Sequence, residues 1–156
     1  MKKIALLLAM VFSTSIILSV HSFAVTLPIR VVINGTKITF PDAQPFVDAN
    51  DRTQTPARFI GEALGATASW DGKAKKATFE KGGKKLVLYI GKKEYEIDGQ
   101  RKQMDTVALL KNSRTFVPAR YVAEAFGATV SWKDSIKTVY IDTSKIPQST
   151  PGETEN

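Results

Sequence analysis

Residues 52–70 read RTQTPARFIGEALGATASW, and residues 114–132 read RTFVPARYVAEAFGATVSW, at a constant offset of 62 residues. Twelve of the nineteen positions are identical, including Pro56/Pro118, Arg58/Arg120, Glu62/Glu124, Gly65/Gly127 and Trp70/Trp132, too many for coincidence. A repeat of this period is the mark of a supersecondary unit that buries its apolar face only against a neighbour. Each copy predicts helix, turn and strand. The prolines place the helix start at Pro56 and Pro118, with Thr55 able to cap the first free amides and Val117 not. Phe59, Ile60, Ala63 and Leu64, and in the second copy Tyr121, Val122, Ala125 and Phe126, fall on one helical face and predict core. Gly65 and Gly127 sit where a helix ends in the left-handed conformation. In the strand that follows, alternation puts Ala66, Ala68 and Trp70 on one side, and Ala128, Val130 and Trp132 likewise, so both tryptophans are expected to point into the core. The alternative is indoles that stack on sugars. Arg58 with Glu62, and Arg120 with Glu124, stand four apart, the spacing of a helical ion pair worth about 0.2–0.5 kcal/mol.

Around this repeat, Asn34-Gly35 and Asp98-Gly99 each stand between alternating apolar residues, a hairpin signal that recurs at an offset of 64. The first hairpin is expected over 29–33 and 36–40, followed by a loop over 41–51; the second over 94–97 and 100–104. Strands are also expected over 76–81, 84–90 and 138–142. The resulting fold class is α+β, an antiparallel sheet wrapped around two short helices, internally duplicated.

At the start of the chain, Lys2 and Lys3 precede an apolar run from Ile4 to Val20, and Ser22-Phe23-Ala24 has the small-x-small pattern of a cleavage site. Residues 1–24 are therefore expected to be a signal peptide, 25–144 the duplicated domain, and 145–156 a polar tail too poor in apolar residues to fold. The charge after cleavage is 20 basic minus 15 acidic residues, or +5, because Lys2 and Lys3 leave with the signal. His21 is the only histidine and there is no cysteine, so the ligands that dominate zinc, copper and haem sites are missing after residue 24. No cofactor and no metal are expected. A 132-residue chain without disulfides must rely on its core, and two separate units of about 60 residues would each be marginal, so the copies are expected to share one core.

The pattern of an Asn/Asp-Gly hairpin, then R-T-x-x-P-x-R-x-x-x-E-A-x-G-A-x-x-x-W and a short strand, resembles the family named after the N-terminal domain of bacterial copper amine oxidases, also called stalk domains. The resemblance covers residues 29–143 and departs from it at Gln54, Ala57 and Ala119, where the family usually has aliphatic residues. It implies an exported, noncatalytic module. The oxidase chemistry itself needs three histidines and a tyrosine preceded by Asn; here Tyr89, Tyr95, Tyr121 and Tyr140 follow Leu88, Glu94, Arg120 and Val139. Nor is there a phosphate-binding Gly-rich loop or a serine elbow, and the repeated acids Glu62 and Glu124 each have an arginine at pairing distance. No catalytic residue is expected.

Lys73, Lys75, Lys76, Lys81, Lys84, Lys85, Lys92, Lys93, Arg101 and Lys102 fall in one span opposed only by Glu80, Glu94, Glu96 and Asp98, ten charges against four, or +6. A basic surface on an exported protein meets anionic cell-wall polymer and lipid head groups rather than nucleic acid, and no membrane span is expected once the signal is removed. The expected function is a secreted or wall-associated binding module for such a polymer or for another envelope component. The alternatives are lysines that only solubilise and protect sheet edges, and a structural spacer or protein-interaction module with no polymer ligand.

Overall fold

A computed structural model describes residues 26–144, so the expected signal peptide and tail lie outside the described residues. In chain order the elements are β1 (Arg30–Ile33), β2 (Thr36–Lys37), β3 (Phe46–Val47), β4 (Thr53–Pro56), α1 (Ala57–Ala63), β5 (Thr67–Asp71), β6 (Lys76–Lys81), β7 (Lys84–Tyr89), β8 (Glu94–Ile97), β9 (Gln100–Gln103), β10 (Leu109–Lys111), β11 (Arg114–Pro118), α2 (Ala119–Ala125), β12 (Thr129–Lys133), a 3-10 turn (Asp134–Ile136) and β13 (Thr138–Asp142). The fold is α+β.

Local chemistry sets the turns. Asn34 and Gly35, and Asp98 and Gly99, all adopt positive φ, between 50° and 80°, as a two-residue hairpin turn requires. Gly65 and Gly127 end the helices with φ of 71° and 85°. At each end the glycine N–H bonds the carbonyl three residues back, and the next N–H bonds the carbonyl five back: Ala66 to Gly61 at 2.9 Å and Ala128 to Ala123 at 3.1 Å. This doubled bond is the Schellman stop. The helix starts differ from expectation. Pro56 and Pro118 close the preceding strands and act as caps without a side-chain bond, and Thr55 Oγ1 donates instead to Val117 O at 3.3 Å. Thr55 is drawn across the sheet because β4 pairs with β11.

The strands form three sheets rather than one wrapped around the helices. β10–β11–β4–β3 is antiparallel, and its central register pairs Thr55 with Val117, two residues that stand 62 apart. β5–β6–β7–β8–β9 is an antiparallel meander. In the third sheet, β12–β13–β1–β2, β1 runs parallel to β13, a departure from the all-antiparallel expectation, with Arg30 opposite Thr138 and Ile33 opposite Ile141. The first hairpin is thus completed by the last strands of the domain. The expected 41–51 loop contains β3, and β10 was likewise not expected; both are two- or three-residue strands added at sheet edges.

Both halves feed one apolar cluster: Val31 and Ile33 from β1, Ile60 and Leu64 at α1, Phe79 from β6, Leu86 and Leu88 from β7, Val122 and Phe126 at α2, and Val139 and Ile141 from β13. Each such side chain contributes about 1.5–3 kcal/mol on burial. Asp48 organises a polar knot. Its carboxylate accepts from Gln54 Nε2 (2.7 Å), Thr106 Oγ1 (2.5 Å) and the backbone N–H groups of Asn50 (2.8 Å) and Arg52 (3.0 Å). Gln54 is fully buried there and also donates to Val107 O.

Candidate functional site

The meander folds the lysine-rich span back on itself, so neighbours in sequence separate in space. Lys73, Lys75 and Lys76 lie at the β5–β6 turn and Lys92 and Lys93 at the β7–β8 turn. The Ile90 N–H bonds Lys75 O at 2.9 Å, which holds the two turns together. Lys81, Lys84 and Lys85 stand at the opposite end of six-residue strands, about 20 Å away at ~3.3 Å per residue. Lys81 Nζ donates to Leu64 O at 2.7 Å and so caps the end of α1. Lys85 pairs with Glu80 at 3.1 Å, and Arg101 lies 3.8 Å from Glu94 and 3.7 Å from Glu96. Lys102 is exposed on β9 opposite Tyr95. The structure brings together five of the ten, Lys73, Lys75, Lys76, Lys92 and Lys93, and among the described residues none of these five forms an ion pair.

The tryptophans are not core. Trp70 is 44% exposed and Trp132 38%, and burial falls along each strand, from buried Ala66 through half-buried Ala68 to Trp70. The physical reason is reach: β5 and β12 are edge strands, and a seven-residue helix spans only about 10 Å, enough to cover the beginning of the strand and not its end. Each indole instead walls a groove, one of about 760 Å³ at Trp132 and one of about 350 Å³ at Trp70, both within the usual range for ligand sites. Pro118, Arg120, Ser131, Trp132 and Val139 line the first; Pro56, Arg58, Ser69, Trp70 and Ala77 line the second. Each groove also takes an Arg-Thr pair from the other half of the chain, Arg52 and Thr53 for the first and Arg114 and Thr115 for the second. The extra volume at Trp132 comes with an additional wall, the segment from Thr26 to Ile29.

The guanidinium groups at the grooves are held by carboxylates. Arg58 Nε donates to Glu62 Oε1 at 2.8 Å, and Arg120 lies 3.9 Å from Glu124, the helical pairs expected from the spacing. Arg114 pairs with Asp42 at 2.6 Å. Arg52 donates from Nε and Nη2 to Asp105, whose other oxygen accepts from the Tyr121 hydroxyl at 3.0 Å. The Arg52 guanidinium holds the Asp105 carboxyl below the usual carboxylate range, against the upward pull of desolvation. Asp134 is lowered in the same way by the ammonium of Lys137, 2.7 Å away, and by the Trp132 indole N–H at 3.4 Å. Sequence reasoning missed Asp42 and Asp105, which stand in loops without periodicity; the signal that pointed toward them was the identity of Arg52 and Arg114 in the repeat. Among the described residues no group of three His, Cys, Asp or Glu is placed to hold a metal, and no helix is long and apolar enough to cross a membrane.

The family model described as "Copper amine oxidase N-terminal domain" matches residues 32–141, a span that takes in both copies of the motif. The chain belongs to this family, whose defining domain is noncatalytic. It is also similar to a "Protease inhibitor" of Brevibacillus choshinensis, 27% identical over 118 residues, covering 76% of this chain and 36% of that protein. The chain therefore spans about a third of the length of that relative.

Proposed function

We propose that the protein is a noncatalytic, exported cell-envelope module, built by duplication of one unit, that adheres to anionic wall polymer through the end of the meander carrying Lys73, Lys75, Lys76, Lys92 and Lys93. The observation that carries this is the convergence on two touching turns of five lysines outside any ion pair among the described residues, Lys92 lying over the Tyr89 ring, while the other basic residues of the span are drawn off to Leu64, Glu80, Glu94 and Glu96 or stand apart. A concentrated positive end raises the local concentration of a polyanion, and exposed charges act through contacts that salt screens over about 8 Å at physiological strength and about 3 Å at 1 M. The secretory pattern of residues 1–24 supports this reading, since an exported chain meets such polymers. The protein should sediment with Gram-positive walls, lose retention steeply with added salt, and bind walls stripped of teichoic acid much less. Changing Lys73, Lys75, Lys92 and Lys93 to glutamine should weaken retention with little change in melting temperature. Retention that survives 1 M salt in the glutamine variant would sink the proposal. A second function, as a protein-interaction module, is favoured by the similarity to a protein named as a protease inhibitor. Stoichiometric inhibition of a protease by the secreted chain would establish it in place of the first.

A further inference from the structure

The two tryptophan grooves repeat each other in detail. Ten of the thirteen residues lining the smaller groove have their counterpart 62 positions away in the lining of the larger: 51/113, 52/114, 53/115, 56/118, 57/119, 58/120, 68/130, 69/131, 70/132 and 77/139. Neither groove is complete within one half of the chain, since each needs the Arg-Thr pair from the other. Two exposed indoles, each beside an apolar floor and a pair of guanidinium groups, are retained although neither indole is needed to fill the core.

We infer that these grooves are two related sites for a neutral glycan, a chain of β-linked pyranoses with equatorial hydroxyls. Such a sugar presents a flat face of ring C–H groups, which packs on an indole, and a rim of hydroxyls that both donate and accept. The grooves match both features. Every cation that lines either one is paired with a carboxylate: Arg52 with Asp105, Arg58 with Glu62, Arg114 with Asp42, Arg120 with Glu124 and Lys137 with Asp134. Paired charges remove the attraction for an anion and leave fixed donors beside fixed acceptors, the complement of a hydroxyl rim. A proline-rich peptide also stacks on tryptophan but presents carbonyl acceptors alone and leaves the carboxylates unused. Two sites on one chain suit a repeating polymer, because the second contact is made intramolecularly once the first has formed.

The test is titration of the secreted chain with cellohexaose, chitohexaose and maltohexaose, followed by intrinsic fluorescence and calorimetry in low salt and in 1 M salt. Binding of a β-linked hexamer with protection of the indoles from iodide, two sites per chain, and little loss at 1 M salt is the expected result. Trp70→Ala and Trp132→Ala should each leave one site at unchanged affinity for the hexamer and weaken binding to a long soluble polymer of the same β-linked sugar, titrated alongside, by about 100-fold or more. The double variant should bind neither, while Trp→Phe at the same positions, which keeps a stacking ring, should retain weak binding and controls for folding. Binding of the hexamers that persists in the double variant overturns the inference, as does failure of both β-linked hexamers at millimolar concentration. Capture of a polyproline peptide through the same indoles, with no sugar bound, assigns the grooves to peptide and overturns it too. Because glycan binding is tested at 1 M salt, where lysine-dependent wall retention is lost, its failure and that of the polyanion proposal are separable.

Discussion

Gly61 sits buried in α1 where α2 carries Ala123, and the difference can be turned into a double-mutant cycle. Alanine inside a helix is favoured over glycine by about 1 kcal/mol. At position 61 that gain meets an obstacle: an added Cβ would stand 3.0 Å from Ala68 Cβ and 3.1 Å from two ring carbons of Phe79. Phe79 is fully buried and Ala68 lies on β5, so the neighbours give way only by strain, for which overpacking costs of about 1–3 kcal/mol are usual. Gly61→Ala should therefore destabilise by about 0–2 kcal/mol in spite of its better propensity. The second half shows a compatible combination, with Ala123 in the helix and Ile141 at the position matching Phe79. Phe79→Ile alone should cost about 1–3 kcal/mol through the space it leaves. Combined, the two changes should cost less than their sum by about 1–2 kcal/mol, since the methyl fills what the ring vacates. Urea unfolding of the parent, both single variants and the double variant measures this coupling. A coupling smaller than about 0.5 kcal/mol, the scatter expected of independent sites, would refute the packing conflict at Gly61.

Asp48→Ala should cost about 2–4 kcal/mol, because it strips a buried Gln54 amide and the Thr106 hydroxyl of their shared acceptor. Burial pulls the Asp48 carboxyl up, but hydrogen bonds from Thr106, Gln54, Arg52 and Asn50 outweigh it and hold the group below its ordinary 3.8. A carboxyl lowered on folding adds stability above its unfolded value and loses it as pH falls through the folded one, so the gap between parent and variant should narrow below about pH 3.8 in acid titrations of stability. Residues 25–88 expressed alone lose the partners of β4 and β1, namely β11 and β13, and should show no cooperative thermal transition; a sharp one would contradict the shared core. Both indoles should be quenched by iodide in the free protein, and Trp132→Ala should cost less than the about 3–5 kcal/mol of a core aromatic. Sequencing of the secreted protein should begin at Val25; a start at Met1 would remove the signal peptide from consideration.

What the sequence made legible was what nearby residues decide. Asn34-Gly35 and Asp98-Gly99 announced their turns because few other pairs tolerate positive φ, and Gly65 and Gly127 announced the helix stops for the same reason. The spans of β6, β8 and β13 followed from alternation over a few residues. Alternation tells which side a residue takes, however, and not where the core ends along that side; Trp70 and Trp132 point the same way as Ala66 and Ala128 and pass beyond the cover of their helices. The pairing of β4 with β11 and of β1 with β13 joins residues 60 or more apart, and no local pattern encodes it. Basic residues close in sequence likewise parted to two ends of a sheet, because consecutive antiparallel strands carry adjacent segments in opposite directions.

The parallel pairing of β1 with β13 also decides how the domain responds to force. A pull on the chain from either side enters at Arg30 and leaves at Asp142, at opposite ends of two strands that run the same way. Tension therefore loads the ladder in shear: its rungs share the strain and must fail together, whereas strands pulled from the same end peel apart one rung at a time. Clips at both ends reinforce the ladder, Arg30 N–H to Lys137 O at 2.9 Å at the entry and Asn34 against Thr143 at the exit, with bonds of 2.7 and 2.9 Å. Resistance of this kind is a rate rather than an equilibrium quantity, governed by how fast the sheared ladder gives way. A ladder loaded this way should give way more slowly than one opened rung by rung, and a pulling measurement on the protein held at its two ends reads that rate directly.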